Sequence, residues 1–328
     1  MLRFYYLFHA TLWLFLAFSR AAWHFKWRAT RALDLPEGLV IGPKEKRRLK
    51  HYFYGTSYLA AIMCALRNQP RSGTEKYLFT NLSALAYSFD DLVDVFREDE
   101  GSSILWQNNP EAYGLVADKR GLALHLLHNI YRELPEKDLG QFRSYMHRVF
   151  NVETAGRQKV GIKRYWDIEI LEKITAEKGG CSVLLFRTLL NHNLSMEEEN
   201  AFFQLGYLIQ CSDDIFDLWQ DHQAGIVTLA TFLAERAEIG QLLRIFEQQV
   251  VITHRAFRQT AYSPAQVETA LHSIHFLVSI TRVCLRHYVD LEHQYGALPL
   301  HDRTVIVVDM EIWANRFQAF RYLLRPLR

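Results

Sequence analysis

Apolar residues recur at helical spacing along nearly the whole chain from about residue 43 onward. KEKRRLKHYFYGTSYLAAIMCALRN, TEKYLFTNLSALAYSFDDLVDVFR, KRGLALHLLHNIYREL and EKDLGQFRSYMHRVFNVETAG each hold that period well beyond strand length. It continues through YWDIEILEKITAEKGGCSVLLFRTLLNHN, SMEEENAFFQLGYLIQCSDDIFDLW and ATFLAERAEIGQLLRIFEQQVVITHRAF. SPAQVETALHSIHFLVSITRVCLRHYVDLEHQ and TVIVVDMEIWANRFQAFRYLL complete it. Helix starts are signalled by Thr74 before Glu75, by Pro135–Glu136, by Ser195 with Glu198 three residues on, and by Ser263–Pro264. Breaks are expected at NQPRSG, NNPEAYG, Gly179–Gly180, HQAG, TAYSP and YGALP. VIVV at 305–308 is the only strand-like tetrapeptide. The pattern predicts an all-α protein of roughly ten helices, with residues 44–328 as one helical-bundle domain and 1–43 as a separate extension.

Two of the predicted helices end in clusters of like charge. SFDDLVDVFREDE holds Asp90, Asp91, Asp94, Glu98 and Asp99, and QCSDDIFDLWQD holds Asp213, Asp214, Asp217 and Asp221. Positions four apart share a helix face, so Asp90 stacks on Asp94, and Asp213, Asp217 and Asp221 form a ladder over two turns. Aspartate is a poor helix former, and like charges at this spacing repel. Two readings compete: solvated helix ends, or faces that share a cation. Matched DDxxD quintets at the ends of two long apolar helices favour the cation. Mg²⁺ binds one or two carboxylates and completes its shell with phosphate oxygens and water. An EF-hand is disfavoured because the residues are helical and lack the loop glycine, and a di-iron site because no Glu-x-x-His pair accompanies them.

Composition narrows the classes. Apolar residues make up 49% and charged residues 23% of 328, a globular profile with material for a large core. A net charge of +2 gives no argument for nucleic acid. Cys64, Cys181, Cys211 and Cys284 are scattered without CxxC spacing and read as buried thiols in a reducing, cytoplasmic setting. FYYLFHATLWLFLAF, residues 4–18, is shorter than the roughly 20 residues a membrane span needs and is followed by the basic, aromatic SRAAWHFKWRATRA. It is expected to lie peripherally in a membrane interface, or to pack on the protein's own body or on a second subunit as a homodimer contact.

DDLVD and DDIFD resemble the paired aspartate-rich motifs of the class I isoprenoid synthases, the superfamily of trans-prenyltransferases and terpene synthases. EKGGCSVLLFRTLL followed by FFQLGYLIQCSDDIFDLWQDHQAGIVTL is similar to the prenyltransferase order Lys-x-Gly, G-x-x-x-Q-x-x-DDxxD, Asp and Gly. The likeness extends over residues 44–325 in helix order, with motif-level similarity at 83–99 and 173–229. It implies an antiparallel α-bundle of the isoprenoid synthase type around a central apolar cavity. It implies that Asp90, Asp94, Asp213, Asp217 and Asp221 bind Mg²⁺, with Asp91 and Asp214 as auxiliary ligands. About three Mg²⁺ ions would accompany the bound prenyl diphosphate. Lys178 resembles the family's diphosphate-binding lysine; Arg157, Lys163 and Arg164 stand about where a diphosphate-sensing arginine is kept, and Arg321–Tyr322 resembles a C-terminal pair that reaches the diphosphate. Tyr87, Phe89, Phe186, Tyr207 and Phe216 are candidate pocket lining.

The branch of the superfamily turns on a second basic site. Chain-elongating enzymes carry an Arg-Arg pair just after the first motif, whereas here Arg97 stands alone among acids in FREDEGSS. PKEKRRLK, residues 43–50, lacks the Gly and Arg-Pro of the upstream element. The reading is therefore a Mg²⁺-dependent terpene synthase that ionises one linear prenyl diphosphate. The alternatives are a prenyltransferase that joins chains, by elongation or head to head, and a non-catalytic helical scaffold or regulatory subunit.

Overall fold

The computed structural model describes residues 42–96, 119–158 and 166–325, and scattered positions between 5 and 33; the side chains of Lys44 and residues 89–96, 119–120 and 154–158 are not described. Every regular element among the described residues is an α-helix. These are α1 (Pro43–Arg67), α2 (Gly73–Phe96), α3 (Lys119–Glu133), α4 (Glu136–Gln158), α5 (Ile168–Thr188) and α6 (Met196–Phe216). They continue as α7 (Leu218–Ala224), α8 (Leu229–Ala234), α9 (Ile239–Arg258), α10 (Pro264–Tyr295), α11 (Arg303–Ile306) and α12 (Trp313–Leu323). VIVV forms no strand: its first two residues close α11 and Val307 is extended. No described helix is long and apolar enough to cross a membrane.

The chain divides into two compact units, residues 1–154 with 182–194, and residues 155–181 with 195–328. In the first, α2 packs between α1 and α3. Leu78, Leu82 and Leu85 of α2 are buried, as are Leu126, Leu127 and Ile130 of α3. A buried ion pair joins α1 to α2. Arg67 donates two hydrogen bonds to Glu75 at 2.7 and 2.8 Å, and the same carboxylate accepts the Ser72 and Asn191 amides at 2.6 and 3.0 Å. Burial alone pushes the Glu75 carboxyl up, but the Arg67 fork and the two amides hold it down at about 2. The Ser72 hydroxyl accepts the Glu75 amide at 3.1 Å, so the reciprocal cap of α2 is Ser72 rather than Thr74. Tyr87 and Phe186, expected as pocket lining, are buried in this unit, Tyr87 edge-on to Tyr52 and Phe186 against Phe79.

In the second unit α6 packs on α9 and α10, and α10 also carries α12. The capping residues read from the sequence are in place. Ser195 accepts the Glu198 amide, and Ser263 forms a reciprocal box with Gln266 ahead of Pro264. Phe202 of α6 meets Phe257 of α9 edge to face at 5.6 Å. Gln249 of α9 donates to the Gln204 carbonyl at 2.9 Å, placing an amide on a backbone acceptor in the α6–α9 contact. Gly225 at φ 68° and Gly296 at φ 79° end α7 and α10, the left-handed positions that HQAG and YGALP announce.

The Gly179–Gly180 break is not there: both residues lie inside the continuous helix α5. They are small for another reason. A Cβ on Gly206 of α6 would sit 2.6 Å from the Gly180 Cα and closer still to the Gly179 carbonyl. A Cβ on Gly179 would meet the Gly206 carbonyl, and one on Gly180 would enter the Phe203 ring. Two helix backbones touch here, which only glycine on both sides allows. All four thiols are buried and unbridged, as expected.

Candidate functional site

The glycine contact brings the second half of the sequence signature together. Gln210 and Asp214 follow Gly206 by one and two turns on α6, and Thr175 precedes Gly179 by one turn on α5. Thr175 donates to the Asp214 carboxylate at 3.3 Å, and Gln210 donates to the same group at 2.9 Å. The Gln210 amide also reaches Asp213 at 3.3 Å. Asp214 is 7% exposed, so this auxiliary ligand of the sequence reading is turned into the α5–α6 contact. Its burial pushes its pKa up to about 6, against the pull of Gln210, Lys178 and Thr175.

The ladder survives a change of helix. Asp217 ends α6 and starts α7 at φ −92°, yet its amide bonds to the Asp213 carbonyl at 2.9 Å and the Asp221 amide bonds to the Asp217 carbonyl at 2.8 Å. The three aspartates therefore keep their one-turn spacing. Tyr288 of α10 braces this turn by donating its hydroxyl to the Ile215 carbonyl at 3.1 Å. Asp213 is exposed, while Asp217 and Asp221 are half-buried. Neither the Asp217 nor the Asp221 carboxylate has a hydrogen-bond donor among the described residues. Burial raises the pKa of Asp217, and it raises that of Asp221 to about 7, helped by the charges of Asp214, Asp217 and Asp213 and opposed by Lys178.

Lys178 stands beside this group on α5, half-buried, its charge acting on both Asp214 and Asp221. Glu172 lies further along the same helix with its pKa raised, first by burial and then by Glu169. Tyr207 and Phe216 are half-buried on α6. Burial, with the charges of Glu172, Cys211 and Asp214, suppresses ionisation of the Tyr207 phenol.

Asp90, Asp91 and Asp94 occupy the last two turns of α2, but their side chains, and that of Phe89, lie outside the described residues. The same is true of the Arg157 side chain and of Lys163 and Arg164. Arg321 is exposed on α12, and Tyr322 offers its carbonyl to His275 Nε2 at 3.1 Å with its ring under Arg325. Neither forms a hydrogen bond or ion pair with the ladder among the described residues.

Thr175, Gln210 and Glu172 complete the group; Thr175 and Glu172 are not singled out by the sequence. Gln210 alone had a signal, its place three residues before Asp213 in GYLIQCSDD.

Mg²⁺ is the ion the resemblance implies. Among the described residues, no three His, Cys, Asp or Glu side chains converge to hold a metal by themselves. The donor set still fits Mg²⁺ that is shared with phosphate oxygens, which needs only one or two carboxylates. Half-buried carboxylates without donors, raised pKa values and one neighbouring ammonium describe a face short of positive charge. No family model matches the chain, and neither a curated protein nor a solved structure matches it.

Proposed function

We propose that the chain is a Mg²⁺-dependent class I isoprenoid synthase of the terpene synthase kind, which ionises one linear prenyl diphosphate. The observation that carries this reading is the α5–α6 crossing. Backbone contact at Gly179, Gly180 and Gly206 holds Lys178 against an acidic helix end whose Asp217 and Asp221 carboxylates have no hydrogen-bond donor among the described residues. A scaffold protein has no use for that arrangement, since charge repulsion there weakens the fold. The bundle geometry and central cavity of the superfamily belong to the same proposal.

When bound, Mg²⁺ supplies Lewis-acid polarisation of the leaving diphosphate. Asp213, Asp217 and Asp221 form the acidic face that would hold the ion, and the Asp90, Asp91 and Asp94 group is assigned the same task on α2. Lys178 neutralises charge that grows on the diphosphate as the allylic C–O bond breaks. Asp214, held by Thr175 and Gln210, is a positioning residue that locks α6 against α5 so that Lys178 and the ladder keep their distance. Arg164, Arg321 and Tyr322 are assigned to the diphosphate on the resemblance alone. Cyclisation then requires that water be kept from the carbocation, the task of apolar and aromatic lining.

The test is incubation of the full chain with geranyl, farnesyl and geranylgeranyl diphosphate, with and without Mg²⁺ and isopentenyl diphosphate. Hydrocarbon or alcohol from a single prenyl diphosphate, dependent on Mg²⁺ and abolished in Asp213→Ala, is the expected result. Product formed only with isopentenyl diphosphate, or by joining two identical prenyl diphosphates, makes the chain a prenyltransferase. No turnover of any substrate overturns the enzymatic reading.

A further inference from the structure

The C-terminal helix α12 turns its largest apolar side chains outward. Trp313 is 79% exposed, Phe317 63% and Phe320 51%, and Leu324 just beyond the helix is exposed as well. At 100° per residue these four positions fall within a stripe about 60° wide. Leu323, about 60° beyond one edge of the stripe, is buried, and the helix packs against α10. Arg316 and Arg321 flank the stripe on its two sides, and both are exposed. Arg316 lies over the Trp313 ring at 5.3 Å, and exposed Arg325 follows at the end of the helix. From Trp313 to the end of the chain there are four arginines and no Asp, Glu or Lys. The nearest acids, Asp309 and Glu311, lie in the turn before the helix, where Asp309 accepts the Glu311 amide at 2.7 Å.

We infer that the outward face of α12 is an anchor that lies in the headgroup region of an anionic phospholipid surface. Aromatic and leucine side chains in one stripe, arginines on both margins and no acid among them are the pattern of a helix held in the plane of an interface. Charge decides between occupants. A second copy docked on this face by a two-fold axis sets arginine against arginine, with no carboxylate on the face to relieve it. The chain's own N-terminal segment is a poor complement too, because Arg20, Lys26, Arg28 and Arg31 make it basic. Anionic headgroups match both the charge and the exposed aromatics. The inference stands apart from the proposed catalytic site and gives the protein a place at the surface where long apolar substrates or products dissolve.

The experiment is co-sedimentation of the full chain with vesicles of phosphatidylcholine alone and with one-third phosphatidylglycerol. Wild type is expected to pellet with the phosphatidylglycerol vesicles and to be released by salt. F317S/F320S is expected to lower the partition coefficient by about tenfold or more, since two exposed aromatics no longer insert. R316Q/R325Q is expected to lower it roughly 25-fold on the anionic vesicles only, about fivefold for each arginine. Circular dichroism checks the fold, and if F317S/F320S melts, R316Q/R325Q decides. Vesicle binding unchanged in both variants overturns the inference. So does a dimer that F317S/F320S dissociates in a chain that ignores both kinds of vesicle.

Discussion

Gly206→Ala separates two effects of opposite sign. In a helix interior, replacing Gly by Ala ordinarily stabilises by about 0.5–1 kcal/mol, because alanine is the better helix former. At Gly206 the new Cβ meets backbone, 2.6 Å from the Gly180 Cα, where about 3.5–4.0 Å is the comfortable separation. Backbone cannot rotate aside as a side chain does, so α5 and α6 must part by roughly 1 Å. Overpacking of that size costs about 1–3 kcal/mol, which exceeds the propensity gain. The same displacement stretches the Thr175–Asp214 bond, already 3.3 Å, beyond hydrogen-bonding range. It leaves Asp214 buried with one donor fewer, adding about 1 kcal/mol. Urea unfolding of Gly206→Ala should therefore show a net loss of about 2 kcal/mol, and turnover of a prenyl diphosphate should fall by about 10²-fold as Lys178 shifts from the ladder. Gly55→Ala and Gly140→Ala serve as controls: both glycines are helical and exposed, with nothing within 4 Å of an added Cβ, and both variants should gain stability. A Gly206→Ala protein as stable as those controls refutes the backbone contact.

Three further outcomes follow from the same geometry. Glu75→Gln removes the charge from a buried, doubly bonded ion pair and should cost about 3 kcal/mol in urea unfolding. The Glu75 carboxyl is depressed in the folded protein, so its stabilisation is complete above about pH 4.5 and is lost as pH falls through about 2; the variant should lack that acid limb. Asp221→Asn should stabilise the metal-free protein, because an acid raised to about 7 in the folded state weakens the fold progressively as pH rises above the ordinary carboxylate range, and in full above about 7. After discounting for its partial exposure the gain is about 1–2 kcal/mol near pH 8, vanishing toward pH 4, and thermal melts at both pH values check it. Lys178→Met should lower kcat/KM for a prenyl diphosphate by about 10²–10³-fold with the helical content intact, read by steady-state kinetics and circular dichroism.

Helical periodicity makes the fold class readable, since apolar spacing and the caps at Ser195 and Ser263 report on local chemistry. Gly179 and Gly180 read wrongly as a break because a helix break and a tight helix crossing demand the same residue. What distinguishes them is a third glycine, Gly206, on another helix, and nothing local connects the two. Thr175 is hidden for a similar reason: it is an ordinary polar helix position until the crossing turns it toward Asp214, whereas Gln210 is marked by its place in the G-x-x-x-Q-x-x-DDxxD order. The apolar stripe of α12 is legible as a periodicity but not in its sense. A hydrophobic face normally points inward, and here Trp313 and Phe317 point out while Leu323 takes the core.

The ladder itself weighs against the reading of a solvated helix end. Carboxylates on such an end keep their water and titrate in the ordinary range. Burial is instead the largest influence on both Asp217 and Asp221, and no described donor compensates either one. Asp213 carries a penalty of its own, because it lies in the last turn of α6, which has no basic residue and presents the negative end of the helix. Tyr288 pins the turn from α10, and the glycine crossing pins it from α5, so the charges cannot relax by separating. A rigid, half-buried, repelling row of acids is unfavourable for the empty protein and becomes favourable only with positive charge bound. Lys178 supplies part of that charge from the protein, and under the proposed function Mg²⁺ shared with the diphosphate would supply the remainder.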